Sequence, residues 1–131
     1  MSQPSDLLAL MPFAATVGVV IDSATPAEVV GRLPYAESRT TAGGILHGGA
    51  LMTLADSVGA VCAVLNLPPD TTTSTTSSST VFLRAARGEV TATARPLHAG
   101  RTTIAVLTEL RDEQGRLVAQ VTQSQAVLAA R

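Results

Sequence analysis

The stretch GGILHGGALMTLADSVGAVCAVL, residues 43–65, decides the fold. It predicts a long helix that begins near Gly48 and ends at Leu65, where Asn66 and two nearby prolines stop it. At 100° per residue, its large apolar side chains form one broad stripe, which we expect to face the core. The stripe contains Leu51, Leu54, Ala55, Val58, Val61, Cys62 and Leu65.

Asp56 is the only Asp, Glu, Lys or Arg between Thr40 and Pro69. It projects from the other side of the helix, beside Gly49, Met52, Thr53, Ala60 and Ala63. A solvated helix face normally carries several charges, and small neighbours allow another chain or a ligand to approach closely. A solvated face stays open as the alternative, but a lone carboxylate in this setting favours a subunit contact or a catalytic site.

His47-Gly48-Gly49 opens the same helix. A helix N-terminus offers unpaired backbone N–H groups and a partial positive charge. Glycine lets a substrate carbonyl approach the main chain, whose N–H groups can stabilise a developing oxyanion. A plain glycine turn is the alternative interpretation of these three residues.

The rest of the chain predicts one α+β domain over residues 1–131. Ser5-Asp6 would cap a short helix over residues 7–11 that Pro12 closes. The predicted strands are residues 16–21, 28–33, 72–84, 89–97, 102–111 and 116–128. Short turn-type connectors between the later strands favour hairpins. We therefore expect an antiparallel sheet of five to six strands around one central helix.

Residues 71–80 are ten consecutive Ser and Thr residues. A low-complexity linker is one interpretation of such a run. Thr favours strands, however, and the run leads directly into Val81-Phe82-Leu83. We interpret it as a strand with hydroxyl groups on both faces, which would suit a dimer edge or a polar site.

Composition excludes several classes of function. The formal charge of −1 gives no electrostatic basis for nucleic-acid binding, and one Tyr and two Phe offer few stacking platforms. All nine basic residues are Arg, so a Schiff-base lysine and a P-loop lysine are excluded. One Cys and two His make a poor metal set, so we expect no metal and no cofactor, and we place Cys62 in the core.

The sequence also predicts where the protein resides. The apolar residues 7–21 have no basic residue before them, and Pro12 interrupts them, so they do not resemble a secretory signal. We expect no apolar run of membrane-spanning length. A cytoplasmic protein with no membrane partner is therefore predicted.

Five pieces in register resemble the PaaI-like branch of the hotdog-fold acyl-CoA thioesterases. They are His47-Gly48-Gly49, Leu54-Ala55-Asp56, residues 82–89 (FLRAARGE), residues 98–101 (HAGR) and residues 115–119 (GRLVA). The resemblance covers about residues 15–128. It implies a hotdog fold and a homodimer or homotetramer with active sites at the subunit interface.

The resemblance also implies roles for particular residues. Asp56 would be the general base or nucleophile, the Gly48 N–H would polarise the thioester carbonyl, and His47 would help to shape that turn. Thr75 fills the position of a hydroxyl that orients the attack, with Ser74 its neighbour if the register slips. Residues 82–87 and 98–103 would contact coenzyme A. The implied substrate-binding set is Gly49, Thr41, Phe82, Arg84, Arg87, Gly100 and Arg101.

Three departures from the family pattern stand beside this resemblance. Thr41 replaces an Asn that assists the carbonyl in many relatives, Ala85 replaces a Pro, and the strand after the helix is almost wholly hydroxylated. The predicted activity is hydrolysis of a medium-chain or aromatic acyl-CoA. A hydratase is disfavoured because the Asn-Pro-x-His pattern after the Asp is missing. The remaining alternative is a non-catalytic hotdog protein that binds acyl-CoA or serves as an assembly module.

Overall fold

The computed structural model describes residues 3–130, which form one antiparallel sheet packed around a long helix. Within these residues the helices are α1 (Pro4–Ala9), α2 (Pro12–Val17) and α3 (Gly48–Leu65). The strands are β1 (Val20–Ala24), β2 (Val29–Leu33), β3 (Thr71–Phe82), β4 (Val90–Ala99), β5 (Thr103–Arg111) and β6 (Leu117–Ala129). Their order in the sheet is β1-β2-β4-β5-β6-β3. The predicted α+β architecture is confirmed, while the ends of the predicted domain, residues 1, 2 and 131, lie outside the described residues.

The central helix has the bounds that its sequence predicts. His47 caps it, because the His47 Nδ1 atom accepts a hydrogen bond of 2.7 Å from the Gly49 N–H. Six of the seven residues of the predicted core stripe are buried, and Leu65 is half-buried. Ala63 was predicted on the opposite face, but it is fully buried. It lies one turn after Gly59, which abuts β6, and this side of α3 is covered because β6 and β3 extend the sheet.

By length and composition α3 is apolar enough to cross a membrane, so the expectation that no run reaches that size is wrong. The same helix lies at the centre of the sheet, with half of its 18 residues buried. A buried core helix satisfies the same criterion of length and composition. Packing inside the sheet accounts for the apolar character of this helix.

The N-terminal segment differs from its prediction. Residues 16 and 17 were assigned to a strand, but they belong to α2, which begins at Pro12 and ends at the left-handed Gly18 (φ 106°). Proline suits the first turn of a helix because its missing N–H has no intrahelical partner there. Pro12 therefore starts a second helix as well as following the first one. The predicted cap at Ser5-Asp6 is also wrong, because α1 begins at Pro4 with no side-chain cap.

The remaining five strands lie within two residues of their predicted bounds, and the Ser/Thr run is confirmed as a strand. β3 pairs with β6 on one side and forms the edge of the sheet on the other. A β-bulge interrupts the pairing between Thr75 and Ser77. The polar strand is therefore a partly exposed edge and not a linker.

Cys62 gives a prediction for stability against pH. Burial raises the pKa of its thiol from 9.0 to about 11, and the residue is fully buried as predicted. Its contribution to stability is complete below pH 9 and is lost as the pH rises towards 11, because only the unfolded chain ionises readily in that range. We expect the free energy of unfolding to fall over this range by on the order of 2 kcal/mol more in the native protein than in Cys62→Ala. Urea denaturation of both proteins at pH 8 and pH 10.5 measures the difference, and parallel pH curves would contradict it.

Candidate active site

The Asp56 carboxylate is exposed on α3, in a groove between this helix and α2. The groove encloses about 390 Å³. Its walls are mostly apolar and come from Met11, Phe13, Ala14, Met52, Thr53, Ser57 and Ser78. The helix therefore presents its lone charge to a cavity of ligand size, next to methionine and phenylalanine side chains.

Two donors hold one oxygen of this carboxylate. The Gln123 Nε2 atom donates to Asp56 Oδ1 at 2.8 Å, and the Thr75 hydroxyl donates to the same oxygen at 3.3 Å. Gln125 Nε2 in turn donates to Thr75 Oγ1 at 2.9 Å. Within residues 3–130, no side chain or backbone group donates to Asp56 Oδ2. One carboxylate oxygen is thus fixed by the protein, and the other is available to a water molecule or a substrate.

The bulge in β3 places Thr75 in this network. Side chains alternate between the two faces of a regular strand, so Thr75 and Ser78 would normally point to opposite faces. The extra residue at the bulge shifts this alternation. As a result Thr75 contacts Asp56, Ser78 lines the same groove, and Thr80 donates to the Met52 sulfur at 2.7 Å.

Gly48 lies at the N-terminus of α3. Within the described part of the chain its N–H donates to no acceptor, whereas the N–H of Gly49 is taken by His47. The Phe82 ring lies 3.5 Å from the place that a Gly48 Cβ would occupy. Of the two glycines, Gly48 is therefore the one with a free N–H group for a ligand.

The turn before Gly48 is held by two side chains. The Tyr35 hydroxyl donates to the Gly44 carbonyl at 2.6 Å, and the Arg87 guanidinium donates to the Gly43 carbonyl at 2.7 Å. Gly43 and Gly44 both have positive φ, which favours glycine at these positions. Thr41 begins this turn and is exposed, and its N–H donates to the Ile45 carbonyl at 2.8 Å. Arg87 therefore supports the turn in addition to any contact it makes with a substrate.

The arginines proposed to contact coenzyme A fall into two groups. Arg84 and Arg87 line a polar cavity of about 390 Å³ beside the turn between β5 and β6. Gly100 and Arg101 lie in the turn before Thr103, at the other end of β5. Since β5 has 9 residues, these ends are about 27 Å apart. One chain therefore does not bring Arg101 next to Arg84 and Arg87.

Asp112 adds a fixed negative charge to the polar cavity. Burial alone would raise the pKa of its carboxyl, but hydrogen bonds from Arg116 and from the Gln114 N–H together hold that pKa below its usual range. The Arg116 guanidinium forms an ion pair with Asp112 at 2.9 Å. The positive charge of Arg116 is therefore largely offset here, whereas Arg84 and Arg87 are exposed cations that line the same cavity.

The two glutamines of β6 are functional candidates that the sequence reasoning missed. Gln123 and Gln125 are 0% and 1% exposed, and both point to the same side of β6 as the buried Val121. Polar residues at alternate positions on the apolar face of a strand were the available signal. Asp56 is 67 residues away from Gln123, and Thr75 is 50 residues away from Gln125, so only the folded chain shows these contacts.

Within residues 3–130, no three His, Cys, Asp or Glu side chains cluster in a way that would hold a metal ion.

The sequence of this chain is similar to those of the thioesterase superfamily and of proteins named as candidate esterases. A family model described as the thioesterase superfamily matches residues 43–119, more than half of the chain. A segment of 76 residues is 43% identical to a Vibrio cholerae protein named as a candidate esterase, and it covers 57% of this chain and 51% of that protein. The chain spans about half to two thirds of the length of the curated relatives it matches.

Two solved structures are close in shape. A thioesterase from Haemophilus influenzae superposes with a TM-score of 0.91 over 98% of this chain and 92% of that one, at 23% identity, which establishes the fold. The protein AziG of S. sahachiroi superposes with a TM-score of 0.86 at 30% identity, over 92% of this chain and 98% of that one.

Proposed function

Because this chain belongs to the thioesterase superfamily, we propose that it hydrolyses the thioester of a medium-chain or aromatic acyl-CoA to the free acid and CoA. Within the superfamily we propose the PaaI-like branch, on the five sequence pieces that resemble it. The observation that carries the proposal is the pairing of two groups. Among the described residues, none donates to Oδ2 of Asp56, which faces an apolar groove, and none accepts from the Gly48 N–H at the helix N-terminus.

The chemistry requires one base and one oxyanion donor. Asp56 takes a proton from a water molecule as the water oxygen attacks the thioester carbon. The Gly48 N–H donates to the carbonyl oxygen as it becomes negatively charged. Collapse of the tetrahedral intermediate breaks the C–S bond and releases the CoA thiolate, which is a good leaving group because thiols have a pKa near 8.5. The alternative of direct attack by the Asp56 carboxylate uses the same two groups.

The spacing of the two groups along the helix favours a site that is shared between subunits. Gly48 and Asp56 are separated by eight residues of α3, which corresponds to about 12 Å along the helix axis. The base, the water, the carbonyl and the donor are joined by three contacts of about 3 Å each and by the C=O bond, which together span about 10 Å at most. This span is shorter than the rise of the helix between the two residues. We therefore propose that Asp56 of one subunit acts with Gly48 of its partner.

The edge strand β3 offers a way to build this site. Thr75, in the first half of β3, contacts Asp56. Phe82, the last residue of β3, lies beside Gly48. Antiparallel pairing of β3 with a second copy, centred near Ser78, would set Thr75 of one chain opposite Phe82 of the other. The exposed Phe82 and Leu83, at 52% and 55%, would be covered by such an interface. We propose a homodimer built in this way, alone or within a homotetramer.

Pairing of two subunits would also affect how coenzyme A is bound. Arg101 is remote from Arg84 and Arg87 within one chain, so a shared role on one coenzyme would again draw on two subunits. Arginine binds phosphate with two parallel hydrogen bonds, which suits the nucleotide end of coenzyme A. The apolar groove walls at Met11, Phe13 and Met52 are suited to the acyl group.

A panel of acyl-CoA esters tests the proposed function. Saturated esters from acetyl to dodecanoyl, together with benzoyl and phenylacetyl esters, are incubated with the protein, and thiol release is followed with a thiol reagent. We expect the highest kcat/KM for medium-chain or aromatic esters, since the groove is apolar and of moderate size. Binding of these esters without thiol release would contradict the proposal and favour a non-catalytic binding protein.

A further inference from the structure

Gln123 occupies a position where an aliphatic side chain would be expected. It is fully buried on β6, on the same side as Val121, and faces α3. Burying an amide is unfavourable unless both its donor and its acceptor are paired. Gln123 Oε1 has no hydrogen-bond partner within the described residues, so this amide is only partly satisfied. Packing alone therefore does not account for a glutamine at this position.

Gly59 leaves a notch in the surface of α3, and the Gln123 amide occupies this notch. A Cβ on Gly59 would lie 1.9 Å from Gln123 Oε1, so no larger residue fits there while the amide keeps its place. Glycine in a helix interior is less favourable than alanine. The helix thus carries a residue that weakens it, at the point where the amide is seated, one turn after Asp56.

The amide orientation is fixed by the charge it meets. Rotating the Gln123 amide by 180° would place its oxygen against Asp56 Oδ1, where two negative oxygens would repel each other. Gln125 acts on the second donor, because its Nε2 atom donates to Thr75 Oγ1 and so leaves the single Thr75 hydrogen for Asp56. Both donors meet on Oδ1, and this arrangement sets the rotation of the carboxylate.

We infer that Gln123 is a positioning residue, seated in the notch at Gly59, which holds the Asp56 carboxylate so that Oδ2 faces the substrate. The inference rests on the proposed function of Asp56 as the base. A base that is free to rotate spends only part of its time in the reactive orientation, and misplacement by about 1 Å can lower a rate by about 10²-fold. Gln123 touches no reacting atom, so its loss should lower kcat and leave KM nearly unchanged.

The test uses Gln123→Val alone and together with Gly59→Ala. The side chain of valine reaches only as far as the Cγ atom of the glutamine, and this position lies more than 3.6 Å from the Cβ atom that Gly59→Ala adds. The alanine methyl group can therefore partly fill the space that the amide leaves beside residue 59. The double variant is therefore expected to fold even if the single variant is unstable. We expect both to lower kcat for the best acyl-CoA by about 10²-fold, with KM within about threefold of the native value. Gln120→Val, on the other face of β6, is the matched control and should keep native kcat.

The outcomes distinguish a failure of the inference about Gln123 from a failure of the proposed function. Native kcat in the folded double variant would overturn the inference about Gln123. No thioester hydrolysis by the native protein would overturn the proposed function, and the inference would then be decided by a crystal structure of the double variant. Loss of the single Asp56 carboxylate orientation in that structure would support the positioning role, and an unchanged carboxylate would overturn it.

Discussion

Replacing Asp56 with asparagine is expected to lower kcat for thioester hydrolysis by about 10²- to 10⁴-fold, because the amide cannot accept a proton from the attacking water. The substitution keeps the shape of the side chain and the acceptor oxygen that Gln123 and Thr75 contact. Asp56 is exposed on α3, so the free energy of unfolding should change little. The measurement is single-turnover and steady-state thiol release, with circular dichroism and urea denaturation on the same samples.

The matched control is Asp70→Asn. Asp70 lies between α3 and β3 with positive φ (59°), a conformation that asparagine also adopts readily. This control removes one carboxylate from the chain without touching the groove, so native kcat is expected. Native turnover in a folded Asp56→Asn protein would exclude Asp56 as the base or nucleophile. Equal losses in both variants would assign the effect to net charge and not to the site.

Features of the fold could be predicted from the sequence where the residues that determine them lie close together along the chain. The bounds of α3 could be predicted because the glycine turn that opens it, the apolar period and the stop at Asn66 all lie within the helix or next to it. The bounds of α2 were harder to predict from Pro12 and Gly18, since each of these residues is compatible with the end of one element and with the start of another. Pro12 was assigned to the end of a helix, whereas it opens α2.

The polar network around Asp56 depended on long-range structure. Thr75 was aligned with a family position, but its contact with Asp56 depends on a bulge that the pairing of β3 with β6 creates. Gln123 meets Asp56 only because α3 crosses the sheet above β6. No pattern within the sequence of β6 indicates which side chain of α3 faces Gln123. The sequence therefore predicts the base and the donor, and the folded chain is needed to find the groups that orient the base.

Gly48 and Asp56 are close in sequence, but eight residues of α3, a rise of about 12 Å along the helix axis, separate them. If the site is shared between subunits, each chain of a homodimer contributes a base to one site and an oxyanion donor to the other. Two variants that are each inactive should then be able to restore one another, which is impossible if both groups act within one chain.

Gly48→Pro removes the donor with little change in shape. Proline is favoured at the first position of a helix, and His47 before it (φ −64°, ψ 136°) already has the extended backbone that a following proline requires. A Cβ at Gly48 would make an ordinary contact of 3.5 Å with Phe82. We expect kcat to fall by about 10²- to 10³-fold through loss of one N–H donor. Gly48→Ala keeps the N–H and should retain far more activity than Gly48→Pro.

Mixing Gly48→Pro with Asp56→Asn then decides whether the site is shared. Co-expressed or unfolded and refolded together, the two chains should form heterodimers in about half of all dimers, each with one site that has both a native base and a native donor. The expected activity is about a quarter of the native value, far above that of either variant alone. Mixtures without subunit exchange serve as the control, and size-exclusion chromatography with light scattering verifies the dimer. A refolded mixture that stays as inactive as its components would show that base and donor do not come from different subunits.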